Sequence, residues 1–174
     1  VVSDGDKLKL TITATAADGR SGLSDGLTAR YDFNGGAQDK SGNGYHGTPE
    51  NVAPAADKQN VAARAYSFNA TNALVRLPAL PTPTTNTFTI SAWIYPNACE
   101  TDLDGGIVGP DGWSSGRVVL SLSTVDSTRR LHGAEYNTQP LRITGPGEFE
   151  FYGARAVLMN QWQHVAWTMD AERM

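Results

Sequence analysis

The chain has 174 residues, 40% of them hydrophobic and 18% charged, with 18 glycines, 9 prolines and a formal net charge of −4. That length suits one ordinary domain able to bury a core without metal or disulfide staples, and so many glycines and prolines among so few charges exclude a helix-dominated protein. The acidic balance gives no electrostatic reason to approach phosphate backbones, and no apolar run nears the roughly 20 residues of a bilayer span, so nucleic acid and membrane insertion are set aside. The opening VVSDGDK lacks the basic and apolar regions of a signal peptide. Cys99, the single cysteine, cannot close an intrachain disulfide and reads as a small buried hydrophobe.

In chain order, KLKLTITA (7–14) comes first and alternates strictly. Leu8, Leu10, Ile12 and Ala14 point one way and Lys7, Lys9, Thr11 and Thr13 the other, the mark of a half-buried strand. AADGRSGLSDG follows, polar and glycine-rich, and reads as a linker or long turn. A boundary near Ser21 to Gly26 therefore separates an N-terminal strand and linker (1–26) from a domain over 27–174. Beyond it run short strand-like segments broken by turns: LTARYDF, ARAYSFN, ALVRLPAL, NTFTISAWIYP, GRVVLSLST, EFEFYG and QWQHVAWTM. In FTISAWI, Phe88, Ile90, Ala92 and Ile94 share one face and Trp93 joins Thr89 and Ser91 on the other, which predicts that the second face is partly covered. Trp162 and Trp167 are read as core. No segment keeps a 3.6-residue period over a dozen residues and there is no internal repeat, so the class is all-β, a two-sheet sandwich or a barrel.

Between the first two of these segments lies GGAQDKSGNGYHG (35–47), where Gly35, Gly36, Gly42, Gly44 and Gly47 can take positive φ without steric cost. Asp39, Ser41 and Asn43 carry side chains that bond nearby backbone amides and so fix a loop without a core. The same alternating oxygens suit a hard cation such as calcium, and the self-bonded turn and the calcium site stand as two readings of one loop. A second acidic stretch, ETDLDGGIVGPD, spaces Glu100, Asp102, Asp104 and Asp111 somewhat like an EF-hand loop. Its first residue is Glu, its last is Asp rather than a bidentate Glu, and a strand precedes it, so a solvated hairpin loop is expected.

The ordered series YDFNGG…DKSGNGYHGT, ARAYSFN…ALVRLP, FTISAWIYP and WQHVAWTMD resembles the laminin G-like domains of the concanavalin A-like lectin and glucanase superfamily, from about Leu27 to Asp170. The resemblance implies a jelly-roll of two antiparallel sheets serving as an extracellular or cell-surface recognition module. It also implies, for some relatives, a cation site near Asp39, Ser41 and Asn43, joined by Asp32. Family members continue beyond the W-x-H-V-A strand with strands that close the sandwich, whereas this sequence stops at Met174, so the domain is expected to lack the family's last strands. Either the sequence is a fragment or something else completes the fold, for which KLKLTITA is a candidate, in its own chain or by strand pairing with another chain. Ala70 stands where the family pattern has glycine after S-F-N.

Sugar recognition needs aromatic faces for pyranose rings and polar groups for hydroxyls. Trp113, with Asp111 and Arg117 close in sequence, is the first candidate and Tyr136 with Asn137 the second; the competing readings are a Trp tucked under its own loop and an ordinary surface tyrosine. Glu148 and Glu150 in GEFEFYG fall on one face of a strand, as a glycosidase pair would. Tyr152 takes the place of a third carboxylate, which favours the wet face of an edge strand instead. His46, His132 and His164 are dispersed without zinc-like spacing, and Asn69-Ala70-Thr71 is a glycosylation sequon. The expected function is a non-catalytic module that binds a glycan or extracellular protein, calcium-assisted, within a larger surface protein. The alternative is a structural subunit completed by strand exchange, and a glycoside hydrolase is third.

Overall fold

The structure, a computed structural model, describes residues 26–70, 72–81, 88–97, 105–109, 117–125, 128–136 and 149–169. The expected strand at 7–14 lies outside them. The chain divides into two compact units, Val1–Pro81 and Thr82–Met174, and every regular element among the described residues is a strand.

In the first unit, β1 (Thr48–Glu50), β2 (Ala53–Ala55), β3 (Ala65–Ser67) and β4 (Leu74–Arg76) form an antiparallel ribbon in two pieces, β2 with β3 and β1 with β4. The break between the pieces falls where Asn51 and Asn72 both turn left-handed, at φ 51° and 57°. Asparagine tolerates that conformation better than most residues, and the Asn51 side-chain amide donates to the Asn72 carbonyl at 3.4 Å across the gap. The hairpin tip is tied by Asp57, whose Oδ1 accepts from the N–H groups of Gln59 and Val61, each at 2.9 Å. Pro49 and Pro54 restrict β1 and β2 to short, edge-like pieces.

The segment LTARYDF does not become a strand. Its residues alternate half-buried and exposed as the sequence predicts, but its one ladder contact is the isolated bridge from Tyr31 to Asp39. The extended run stops at Phe33, held at φ 52° with its ring against Tyr31 at 6.2 Å and Tyr66 at 5.1 Å. A left-handed backbone cannot continue a ladder, and for a bulky side chain it persists where surrounding contacts hold it.

The second unit is a two-layer sandwich. Its first layer starts with β5 (Phe88–Ile94); the other is the antiparallel sheet of β6 (Gly105–Val108), β7 (Arg117–Val125), β8 (Thr128–Tyr136) and β9 (Phe149–Ala156), in that order. β10 (Gln163–Met169) pairs with β5 through seven successive rungs. The layers meet at one core in which buried Leu120 and Trp167 pack with Phe88, Ile90, Ile107 and Val108. The Phe88 and Trp167 rings meet edge to face at 4.8 Å, a favoured arrangement for aromatic quadrupoles. Leu120, Ser121 and Leu122 are all buried, so both faces of β7 are covered at its middle, as befits an inner strand.

The second face of β5 is partly covered, as expected: Trp93 is 52% exposed and the His164 ring lies 5.4 Å from it. Two expectations are corrected in this unit. Trp162 is not core: it precedes β10 and is half-buried, because its parity places it with exposed His164 rather than with buried Val165 and Trp167. The stretch read as an acidic hairpin loop contains a strand, β6, formed by its GGIV residues; Glu100, Asp102, Asp104 and Asp111 lie outside the described residues.

Candidate functional site

Two of the sequence-selected ligand residues, some twenty positions apart, are brought to one rung. Arg117 opens β7, Tyr136 closes β8, and they are register partners. The next strand starts at the same end, where Phe149 at the head of β9 pairs with Glu135. Trp113, Asp111 and Asn137 lie outside the described residues. Of the five candidates, Arg117 and Tyr136 are therefore the two that the sheet register brings together. Tyr136 belongs to a strand and not to the loop suggested by HGAEYNTQP. Of the carboxylate pair, Glu150 sits in β9 opposite Ala134, and Glu148 lies outside the described residues.

The loop around Asp39 is built differently from a metal cradle. Asp39 is 7% exposed. Its Oδ1 accepts from the Arg30 N–H at 3.0 Å and the Ser41 N–H at 2.8 Å, and its Oδ2 from the Ser41 hydroxyl at 2.8 Å and the Tyr45 N–H at 3.0 Å. Burial pushes this carboxyl up, but the backbone donors of Arg30, Ser41 and Tyr45 with the Ser41 hydroxyl outweigh it and hold Asp39 well below the usual carboxylate range. The other candidates also bond within the loop. Ser41 Oγ accepts from the Asn43 N–H at 3.2 Å, the Asn43 amide donates to the carbonyls of Leu27 and Thr28 at 2.8 and 3.0 Å, and Asp32 Oδ1 accepts from the Asn34 N–H at 3.1 Å.

An ionised carboxylate offers about four lone-pair positions, and four donors occupy those of Asp39. Calcium takes about six to eight oxygen ligands; the arrangement here turns N–H and O–H groups toward the carboxylate and does not fit such an ion. No group of three or more His, Cys, Asp or Glu side chains converges among the described residues. Of the two readings of this loop, the self-bonded turn is the one that these contacts make.

The surface that sequence reasoning passed over is the outward face of β5 and β10, where Trp93 faces His164 across one rung. Its signal was present in the alternation of FTISAWIYP and QWQHVAWTM, which sets Trp93, Tyr95, Trp162 and His164 on one parity, opposite the core.

Comparison with known families places part of the chain. A laminin G-type family model, described as concanavalin A-like lectin/glucanases superfamily, matches residues 69–174, more than half of the chain. The matched span holds the FTISAWI and WQHVAWTMD motifs, whereas the YDFNGG…GYHGT series precedes it. Comparisons with curated proteins and with solved structures gave no match.

Proposed function

The chain belongs to the concanavalin A-like lectin/glucanase superfamily, and from that premise we propose that it is a non-catalytic recognition module binding a glycan or a protein ligand, outside the cell or at its surface. The observation that supports the reading is the shared rung of Arg117 and Tyr136. A rigid sheet supplies a fixed base for this arginine and tyrosine, a pairing of aromatic and polar residue types that ligand sites use. Fold alone does not name the ligand. Calcium has no part in the proposal, because the Asp39 oxygens are already occupied by donors.

The test is a screen of the chain against arrayed glycans and extracellular proteins, followed by titration of whatever binds with Arg117→Ala and Tyr136→Ala. Specific binding weakened in both variants, at unchanged far-ultraviolet circular dichroism, is expected. Absence of any ligand, or binding indifferent to both substitutions, overturns it. A chain that instead hydrolyses polysaccharide and loses this in Glu150→Gln is the hydrolase of the third expectation.

A further inference from the structure

The β5–β10 ladder has two faces of opposite character. Inward rungs carry Phe88, Ile90 and Trp167 into the core. Outward rungs pair Thr89 with Thr168, Ser91 with Ala166 and Trp93 with His164, and the same parity continues to Tyr95 and Trp162, whose rings meet at 5.7 Å and 62°. The Trp93 and His164 rings lie 5.4 Å apart. The two ring pairs thus occupy successive same-parity positions, Trp93 with His164 on the last outward rung and Tyr95 with Trp162 just beyond the end of the ladder. Trp93 is 52% and Tyr95 45% exposed, and contiguous exposed aromatics of this kind mark interaction surfaces.

The patch is held in place before any ligand arrives. The Asn160 N–H donates to the Pro96 carbonyl at 2.7 Å, joining the turn before β10 to the end of β5. The Gln163 side chain closes the same turn on Leu158, accepting from its N–H at 3.3 Å and donating to its carbonyl at 2.7 Å. Preorganisation lowers the ordering cost of binding. Toward the other end of the ladder the face becomes polar, with the Thr89 and Thr168 hydroxyls 3.1 Å apart and Ser91 between them and the rings.

Aromatic rings grading into hydroxyls match a ligand that is amphipathic in the same way. A pyranose presents C–H faces that stack on aromatic rings and hydroxyls that exchange hydrogen bonds with Thr, Ser, His and Tyr groups. Charge narrows the class. None of the outward residues from Thr89 to Tyr95 or from Trp162 to Thr168 is Asp, Glu, Lys or Arg, and the chain carries a net −4, so a sulfated or uronic-acid glycan would find no Lys or Arg among these residues to pair with and an unfavourable net charge.

We propose that the outward face of β5 and β10 binds neutral glycans, with Trp93 and Tyr95 as stacking platforms and with His164, Ser91, Thr89 and Thr168 reading sugar hydroxyls. The proposal rests on the recognition reading above and adds to it a ligand class and a second surface. Its test is calorimetric titration of the 174-residue chain with neutral oligosaccharides (gluco-, manno-, xylo- and chito-series) and with heparin fragments, for the wild type, Trp93→Ala, Trp93→Phe and Tyr95→Ala. Tryptophan fluorescence and sedimentation are recorded alongside. Binding of at least one neutral series is expected, weakened about tenfold or more in Trp93→Ala and partly restored in Trp93→Phe, with the variants still folded and melting within about 5 °C of the wild type. Neutral binding untouched by Trp93→Ala and Tyr95→Ala overturns this surface and leaves the recognition reading standing. Binding of heparin fragments alone overturns the ligand class. A concentration-dependent dimer abolished by Trp93→Ala assigns the face to a second copy of the chain and overturns the proposal, and binding to no glycan at all overturns it and confines the recognition reading to protein ligands.

Discussion

Asp39 and His46 are tied across the loop that they bracket: the Asp39 N–H donates to His46 Nδ1 at 3.1 Å. With four further donors on its carboxylate, Asp39 is the hub of the segment from Leu27 to Gly47, and it does there what a ladder would do in a strand. The Tyr31 hydroxyl adds a tie to the Tyr45 carbonyl at 2.5 Å. The loop is thus ordered by directed polar bonds around one buried anion.

That hub sets an acid dependence. Asp39 titrates below its unfolded value, so its stabilisation is complete above the unfolded carboxylate range near about 4 and is lost as pH falls through the depressed folded value. Asp57 adds to the same limb: the Val61 N–H lowers it, with Gln59 N–H and the nearby Arg64 and Lys58 charges acting in the same direction against partial burial. Melting temperature measured from pH 7 down to about 2 should therefore fall steeply below about 4. Asp39→Asn, which puts an amide NH2 where one carboxylate oxygen accepted hydrogen bonds, should melt lower at pH 7 and show a flatter acid limb. Parallel profiles for the two proteins would mean that the carboxylate is not the hub.

Calcium should leave this loop unchanged. Because the Asp39 oxygens accept four donors, a cation would have to break existing hydrogen bonds to enter. Millimolar calcium against excess chelator is expected to give superimposable thermal melts. A rise of several degrees with calcium, lost in Asp39→Asn, would show that the loop rearranges around the ion.

Gly47 is required for a different reason from the glycines before it. Its φ is not left-handed, but a Cβ there would lie 2.7 Å from Val75 Cγ1, 3.0 Å from Leu77 Cδ2 and 3.2 Å from Ala37 Cβ. Gly47→Ala should cost about 1–3 kcal/mol by overpacking, read as a lower urea midpoint at constant m-value. Gly44, at φ 81° with open space around its Cβ position, should lose about 1 kcal/mol on substitution by Ala, from backbone strain alone. Adding Val75→Ala should recover part of the loss in Gly47→Ala and none in Gly44→Ala, which separates clash from strain.

How much of this could be read from the sequence depends on which force decides each element. β5 and β10 follow from alternation, because one face of each meets a core and the period of two records it. β8 was missed: TRRLHGAEY contains two arginines, a histidine and a glycine, and its strand is defined by nine rungs to β7 rather than by its own pattern. The pairing partner is the preceding strand two residues away, but the packing context that makes such a mixed sequence a strand leaves little trace in its own pattern. β1 and β2 are three residues each and contain prolines, too short for periodicity to register. At the site, the alternation of Asp39, Ser41 and Asn43 was legible but its chemistry was not. Loop spacing says where oxygens stand, and whether they face a cation or N–H donors depends on the Leu27–Tyr31 segment folding back against them. The Arg117–Tyr136 rung likewise required the β7–β8 register.

The two tryptophans at opposite parities give the sharpest test of the layer arrangement. Trp167 is 5% exposed and in the cluster with Leu120 and Phe88; Trp93 stands on the other face of the same ladder. Replacing Trp167 with Ala removes core volume and the edge-to-face contact with Phe88, and should cost about 3–5 kcal/mol. Leu120→Ala, on the facing sheet, should cost about 2–5 kcal/mol for the same reason, and because the two side chains share one cavity their losses should be non-additive in the double variant. Trp93→Ala takes nothing from that core and should cost about 1 kcal/mol or less. Chemical denaturation of the four variants decides the matter. A Trp93 loss as large as that of Trp167 would mean that the outward face of β5 is packed rather than open, and strict additivity of Trp167→Ala and Leu120→Ala would mean that the two sheets do not close on a common core.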